Sequence, residues 1–466
     1  MRTLTTTDPS FAAAWAEVCA RGSDEDEAPV REAAARVVAD VRVRGDAALL
    51  EYTARWDGWQ PRDAAALSLG PGDFAAAFRS LPPAGRKALK LAAERIRAFH
   101  ARERDAEVPA FTDRLGARLQ QVARPLARVG LYVPGGTARY PSSVLMTAIP
   151  ARVAGVDEVV VTTPALKGSG DVDLWTLAAC HVSGVGRLLK VGGAQAVAAL
   201  AYGTATLPKV DKICGPGNAY VAAAKRLVFG QVDIDMIAGP SEILVLADGK
   251  ADAAEVAADL LAQAEHDVRA QAVLVTTSAA LAEAVQVMVE KQLADLPRRD
   301  IARRSIEERG AVVVARGLKE AVALAEAYAP EHLALHVDDA RKLVPRLSRA
   351  GAIFVGRSTP EAVGDYLAGP SHVLPTAGTA RFASPLSVAT FRRRMSVIEM
   401  TPKALAAVAP AVEALAGAEG LEGHWRAVKV RVEKQAARRP ARTAKAAARK
   451  AAQPVKQAKQ AARRGR

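Results

Sequence analysis

From residue 126 onward the chain repeats one local pattern: a short β-branched and aliphatic run, a glycine-rich turn, then an alanine-rich amphipathic stretch. The first instances are a strand over 128–133, the turn Pro134-Gly135-Gly136, a helix over 142–154 and a strand over 158–163. Strand 187–191, turn Gly192-Gly193 and helix 194–202 follow, then strand 210–213, turn Gly215-Pro216-Gly217-Asn218 and helix 219–229. A second block opens with an extended run over 234–247, interrupted by Gly239-Pro240-Ser241. It continues through a helix ending in Gln263 and His266, strand 272–276, helix 279–293, strand 311–315, helix 319–328, strand 333–337, helix 340–347 and strand 352–355. Strands alternating with helices build a mostly parallel sheet, because each crossover helix returns the chain to the same end. The fold class is therefore α/β, with ligands expected at the C-terminal ends of the strands.

The flanks read differently. The first ~110 residues are mainly helical, with Asp8-Pro9 as a helix start and acids at 24–27 ahead of an amphipathic run over 30–52, as a helix dipole prefers. Past 385 the pattern is helical again to about 432, broken at Gly420 and Gly423, and Ala, Lys, Arg and Gln can extend that helix toward Pro440. A chain of 466 residues exceeds one ordinary core. The divisions expected are a helical region over 1–125, α/β domains over 126–236 and 237–384, a helical segment over 385–433 and a tail over 434–466.

The net charge of +14 is concentrated in that tail, where twelve Lys and Arg stand without one Asp or Glu, leaving +2 on the rest. Low complexity and the lack of bulky apolar residues predict disorder there; a solvated tail without essential role is the plainer reading, and weak polyanion contact is the function its charge suits. Cys19, Cys180 and Cys214 are scattered, without metal or disulfide spacing, which suits a reducing cytoplasm. With no apolar run of about 18 residues and no signal-peptide pattern, neither a membrane span nor export is expected.

Chemistry-bearing residues cluster in the second block. Gln263 and His266 are three apart, which on a helix places both on one face and can begin a metal site. A catalytic zinc takes about three protein ligands and an open position. His332, His372 and His424 each lie beside a carboxylate or a glycine in a loop-like segment, whereas His100, His181 and His336 sit in apolar or amphipathic patterns that read as ordinary packing or surface. Glu331-His332 joins a carboxylate to an imidazole at a helix-to-strand junction, where the two can share proton transfer. Asp365, in a loop after a strand, offers a carboxylate ligand, and Gly369-Pro370-Ser371-His372 is a tight turn presenting an imidazole. Glu419 and His424 flank two glycines, and Ser241 is a hydroxyl on a turn that interrupts a strand. The glycine turns of the first block suit a phosphate at a helix N-terminus, but neither G-x-G-x-x-G nor a P-loop is present. Each feature alone has an ordinary structural explanation.

Taken together, Tyr132 to Gly136, Val191 to Gln195, Gly215 to Asn218, Ala238 to Glu242, Gln263 to Asp267, Pro330 to His332, Gly364 to Tyr366, His372 to Pro375 and Glu419 to His424 resemble, in order and spacing, the histidinol dehydrogenase family. The resemblance spans about residues 25–432. It implies two incomplete Rossmann-like, aldehyde-dehydrogenase-like domains and a cytoplasmic NAD- and zinc-dependent homodimer, with one Zn2+ per subunit. The reaction implied is oxidation of L-histidinol to L-histidine through L-histidinaldehyde, the last step of histidine biosynthesis, with two NAD+ reduced. Gln263, His266, Asp365 and His424 then resemble the zinc ligands, with His424 and Glu419 reaching the partner's site. Ser241, His332, His372 and Glu419 join those ligands around the substrate, and Tyr132, Gln195 and Asn218 match the cofactor contacts.

Under that resemblance His332 removes the alcohol proton and Glu331 activates the water that hydrates the aldehyde. Cys214, beside the cofactor turn, suggests a thiohemiacetal route, which the hydrolytic role of Glu331 disfavours. Two rivals remain at this stage: a paralogous zinc- and NAD-dependent dehydrogenase of another small polar alcohol, and a nucleic-acid-binding protein that keeps the fold as a scaffold.

Overall fold

The computed structural model describes residues 1–21, 28–103, 107–135 and 139–437. The chain forms two compact units: Met1–Arg104 with Pro125–Arg392, and Asp105–Arg124 with Arg393–Arg466.

The first unit contains two six-stranded sheets, one from each α/β block. In the first sheet the order is Ser68–Leu69, Arg187–Leu189, Glu158–Thr162, Arg128–Tyr132, Lys212–Cys214 and Asp233–Ile234. All its neighbours are parallel except the antiparallel edge pair Ser68–Leu69 and Arg187–Leu189. The second sheet is wholly parallel, in the order Arg2–Thr5, Ala311–Val314, Gln271–Thr276, Glu242–Ala247, His332–His336 and Ala352–Val355. Its central strands Glu242–Ala247 and His332–His336 are buried throughout, as a parallel sheet covered on both faces requires. Separate apolar clusters form on the two faces of each sheet. Leu131, Ile149 and Leu188 lie on one side of the first and Ile213, Leu200 and Val221 on the other, while Val245 and Leu274 oppose Leu244 and Val273 across the second.

Local signals explain most elements. Helix Ala279–Leu293 starts where the Ser278 side chain accepts from the Leu281 amide, and helix Ala253–Ala264 where Asp252 accepts from Ala254 and Glu255. The N-terminal helices Phe11–Cys19, Ala28–Arg44, Asp46–Asp57, Pro71–Ser80 and Pro83–His100 match the expected helical region, whose first residues add an edge strand to the second sheet. Helices Leu174–Ser183 and Arg299–Glu308 are additions to the sequence reading.

Three expectations need correction. The helix expected over 340–347 is two 3-10 turns, Ala340–Lys342 and Val344–Arg346, because Pro345 cannot donate the hydrogen bond an α-helix needs there. The region beyond 385 is not helical from its start. It holds the 3-10 turn Val388–Phe391 and strand Arg392–Glu399 before helix Pro402–Ala418 and a further helix over 422–437. That strand joins Arg118–Pro125 and Val108–Thr112 in a three-stranded sheet, so 1–125 is not helical to its end either. Residues 434–437 are helical, and the remainder of the expected disordered tail lies outside the described residues.

Candidate active site

The first sheet presents its residues where expected. Tyr132 ends one strand, Gly192 to Gln195 come after Arg187–Leu189, and Asn218 follows Lys212–Cys214, all at strand C-termini. Tyr132, Gln195 and Asn218 line one cavity of about 660 Å3 with Gly192, Gly193 and Asp57. The Gly193 amide donates to the Tyr132 hydroxyl at 3.0 Å. Gly193 has φ +65, a left-handed conformation that favours glycine, and a Cβ there would stand 2.6 Å from the Gln195 carboxamide oxygen. Gly215, at φ +107, approaches the Tyr132 carbonyl so closely that a Cβ would lie 2.1 Å from it. Its amide donates to Asp235 at 2.7 Å, its carbonyl accepts from buried Lys225 at 3.0 Å, and Lys225 and Asp235 pair beneath the turn. The Asn218 side chain caps helix Ala219–Val228. Gln195 is buried with its carboxamide oxygen unpartnered, which leaves an acceptor for a bound molecule. Gly136, part of the first predicted turn, lies outside the described residues.

The second sheet reverses the expectation. Glu242 and His332 are the first residues of adjacent strands, with Ile243 registered opposite His332, so the catalytic candidates stand at strand N-termini. Helices run back against their strands, and helix Ala253–Ala264 therefore delivers Gln263 and His266 to that same end. The helix stops at Ala264, and His266 lies beyond its cap at Glu265, so Gln263 and His266 do not share a helical face. Asp365 is likewise not in a loop but in the short helix Glu361–Tyr366.

These segments bring His266, Asp365, His332 and His372 together. His266 Nε2 is 3.8 Å from Asp365 Oδ2, and His372 Nδ1 is 3.1 Å from the Asp365 carbonyl and 3.6 Å from its carboxylate. His372 Nε2 faces Ser143 Oγ at 3.4 Å. Donor atoms of His266, Asp365 and Glu361 lie within 4.8 Å of one another. Glu361 was not anticipated. It sits four residues before Asp365, the spacing that places two carboxylates on one helical face, and this was the available signal. Gln263 is fully buried with both carboxamide atoms unpartnered, and one oxygen of Glu361 is also unpartnered. His266, Glu361 and Asp365 are thus a group of donors that could hold a metal ion, and Gln263 is a buried polar side chain whose partners are not supplied by the protein.

Glu331 and His332 follow a left-handed residue, Ala329 at φ 52, a conformation that costs a non-glycine residue roughly 1–2 kcal/mol. His332 is 4% exposed, its Nδ1 faces the Glu242 carbonyl at 3.0 Å, and Nε2 keeps its lone pair. Burial pushes the imidazole down to about 4, against the opposing pull of Asp365 and the Glu242 carbonyl. Burial drives the Glu331 carboxyl well above its usual range, against the Glu242 amide that donates to it at 2.9 Å. Burial, with Asp365 and Asp259, also raises Glu361. For Asp365 burial acts upward, but His372, His332 and His266 bring it below the usual carboxylate range.

Ser241 immediately precedes strand Glu242–Ala247, its carbonyl accepting from the Gln271 amide at 3.1 Å. Glu419 and His424 belong to the second unit: Glu419 caps helix Pro402–Ala418, and His424 stands exposed in the following helix. Cys214 is fully buried and its thiol is pushed well up by burial, which removes it as a nucleophile. His100 and His336 are packed, as expected, against Glu103 and Asp259.

Two Rossmann-like sheets, a glycine-lined cavity at the C-terminal end of one and a buried imidazole–carboxylate cluster at the N-terminal end of the other define an α/β oxidoreductase. The family model for histidinol dehydrogenase matches residues 20–432. The chain is 53% identical over 433 residues to histidinol dehydrogenase of Syntrophotalea carbinolica, covering 93% of this chain and 99% of that protein. It is 51% identical to that of Geobacter sulfurreducens, covering 93% and 100%. The crystal structure of histidinol dehydrogenase from Elizabethkingia anophelis superposes with a TM-score of 0.87 at 34% identity, covering 93% of this chain and 98% of that one. The chain belongs to the histidinol dehydrogenase family, a family of NAD-dependent oxidoreductases. No helix among the described residues is long and apolar enough to cross a membrane.

Proposed function

We propose that this chain oxidises L-histidinol to L-histidine through L-histidinaldehyde, reducing two NAD+ in succession. The observation that carries the proposal is His332, a buried imidazole whose Nδ1 is fixed on the Glu242 carbonyl and whose Nε2 is free to take a proton. We read 126–236 as the cofactor-binding domain, with Tyr132, Gln195 and Asn218 as contacts, and 237–384 as the domain of the metal and catalytic residues.

The unpartnered Gln263 amide and the close donor atoms of His266, Glu361 and Asp365 fit a zinc ion. Gln263, His266, Asp365 and His424 would hold it. Zinc held there would supply orientation of the substrate. NAD bound in the first-sheet cavity supplies the hydride acceptor of each oxidation. Ser241, His372 and Glu419 complete the substrate's surroundings. His332 Nε2 takes the alcohol proton, since hydride departs readily only from an alkoxide-like carbon. Glu331 removes a proton from the water that hydrates the aldehyde, and a carboxyl raised by burial is the stronger base once ionised.

We read the C-terminal segment 385–433 as reaching a partner subunit in a homodimer, so that His424 and Glu419 complete the neighbour's site. The basic tail is read as a weak polyanion contact and the free cysteines as those of a cytoplasmic protein. The test is turnover of L-histidinol before and after chelation and after zinc is returned. Loss and recovery support the reading. A zinc-loaded protein inert toward histidinol but active on another small amino alcohol would replace it with the paralogous dehydrogenase.

A further inference from the structure

Arg21 follows helix Phe11–Cys19 and is 221 residues away from Glu242 in sequence, yet the two are joined side chain to side chain in the interior. Arg21 Nη2 donates to Glu242 Oε1 at 2.9 Å and Nε donates to Oε2. The same guanidinium donates to the carbonyls of Tyr328, at 2.6 Å, and Ala329, at 3.2 Å, and lies 3.5 Å over the Tyr328 ring. The side chains of Arg21 and Glu242 are 8% and 2% exposed.

Every polar group of Glu242 is engaged with this cation or with the pair beyond it. Its amide donates to Glu331 Oε2 at 2.9 Å, its Oε1 accepts from the Glu331 amide at 3.2 Å, and its carbonyl meets His332 Nδ1 at 3.0 Å. Arg21 also fixes the turn from the other side, through the carbonyls of Tyr328 and of left-handed Ala329, two residues before Glu331. One buried cation therefore ties the start of strand Glu242–Ala247 to the strained turn that launches Glu331 and His332.

We propose that Arg21, acting through Glu242, is a positioning residue for the Glu331–His332 pair, setting both the place of the Glu331 carboxylate and the tautomer of His332. The proposal rests on the reading of Glu331 and His332 as the catalytic pair. Reacting groups must be held to within about half an ångström, and a misplacement near 1 Å costs about 100-fold in rate. A fork of two parallel donors can hold Glu242 that closely, and a lysine point charge cannot.

The test uses the full-length zinc-loaded enzyme with Arg21→Met, Arg21→Lys and Glu242→Gln, beside Glu331→Gln and His332→Gln. Rates are measured per folded, metal-loaded site, with L-histidinol and L-histidinaldehyde as separate substrates. For Arg21→Met, kcat is expected to fall about 10- to 100-fold on both substrates while both KM values stay within about 2-fold, with Arg21→Lys intermediate. A merely structural role lowers the folded fraction and leaves kcat per folded site unchanged. That result, or a loss confined to KM, overturns the proposal. If Arg21→Met does not fold, Glu242→Gln, which keeps the shape but replaces one of the two acceptor oxygens with a donor and so breaks the fork, decides by the same split. Full activity in both Glu331→Gln and His332→Gln would instead remove the catalytic-pair reading, and the proposal with it. Inactive pair variants beside an unaffected Arg21→Met would remove the proposal alone.

Discussion

His332 and Glu242 are joined by a 3.0 Å contact between imidazole Nδ1 and a main-chain carbonyl, which makes Nδ1 the protonated nitrogen and leaves Nε2 basic. The imidazole is buried and held down to about 4, so it is neutral at physiological pH, with its Nε2 lone pair unprotonated.

The sign of its effect on stability follows. An unfolded histidine titrates near 6.5, so between about 6.5 and 4 the unfolded chain binds a proton that the folded chain does not. This contribution is present above the unfolded value and is lost as pH falls through the folded one. In metal-free protein, urea unfolding should show His332 costing about 3 kcal/mol across that window. His332→Gln should flatten this part of the pH dependence while lowering kcat about 100- to 10,000-fold.

Asp57, in the first-sheet cavity, behaves oppositely. Burial raises its carboxyl to about 6, so the folded state keeps a proton that the unfolded state releases, and stability is lost as pH rises through 6. Asp57→Asn should raise the melting temperature by about 1–2 °C at pH 7.5, with a smaller gain at pH 5. Equal gains at both values would contradict this.

Lys225 and Asp235 form a buried pair under the Gly215 turn. Lys225→Met should cost about 3–5 kcal/mol because it strands the carboxylate. Adding Asp235→Leu should return much of that stability, and denaturant melts of the single and double variants check it.

Glu361 stands within the donor cluster of His266 and Asp365. Glu361→Gln should weaken zinc about 10- to 100-fold in a competitive chelator titration. Unchanged affinity would restrict Glu361 to shaping the pocket around His332, whose Nδ1 is 3.8 Å away.

If His424 completes the neighbour's site, His266→Asn and His424→Asn should each be inactive alone. Refolded as a mixture, they should recover about a quarter of native activity, since half the dimers would carry one intact site. No recovery would mean that each subunit uses its own His424.

Helix Ala279–Leu293 could be read to its ends because Ser278 supplies the N-cap, and the buried strands because their apolar runs are bounded by glycine turns. Strand Arg392–Glu399 was missed because most of its residues are exposed, so no apolar alternation marks it. Helix Ala253–Ala264 ends without glycine or proline, which is why His266 read as part of it. The N-terminal placement of the Glu331–His332 pair was legible as a helix-to-strand junction, and it departs from the general expectation of ligands at strand C-termini. Arg21 and Glu242 were invisible for a simpler reason: an ion pair across 221 residues leaves no local pattern. The roles of Glu419 and His424 come from family resemblance rather than from anything local in their segment.

Whether one site performs both oxidations is decided by the NADH formed per L-histidinol consumed. Two NADH per substrate with L-histidine as product are expected, both abolished by chelation. One NADH per substrate with free aldehyde released would contradict this expectation.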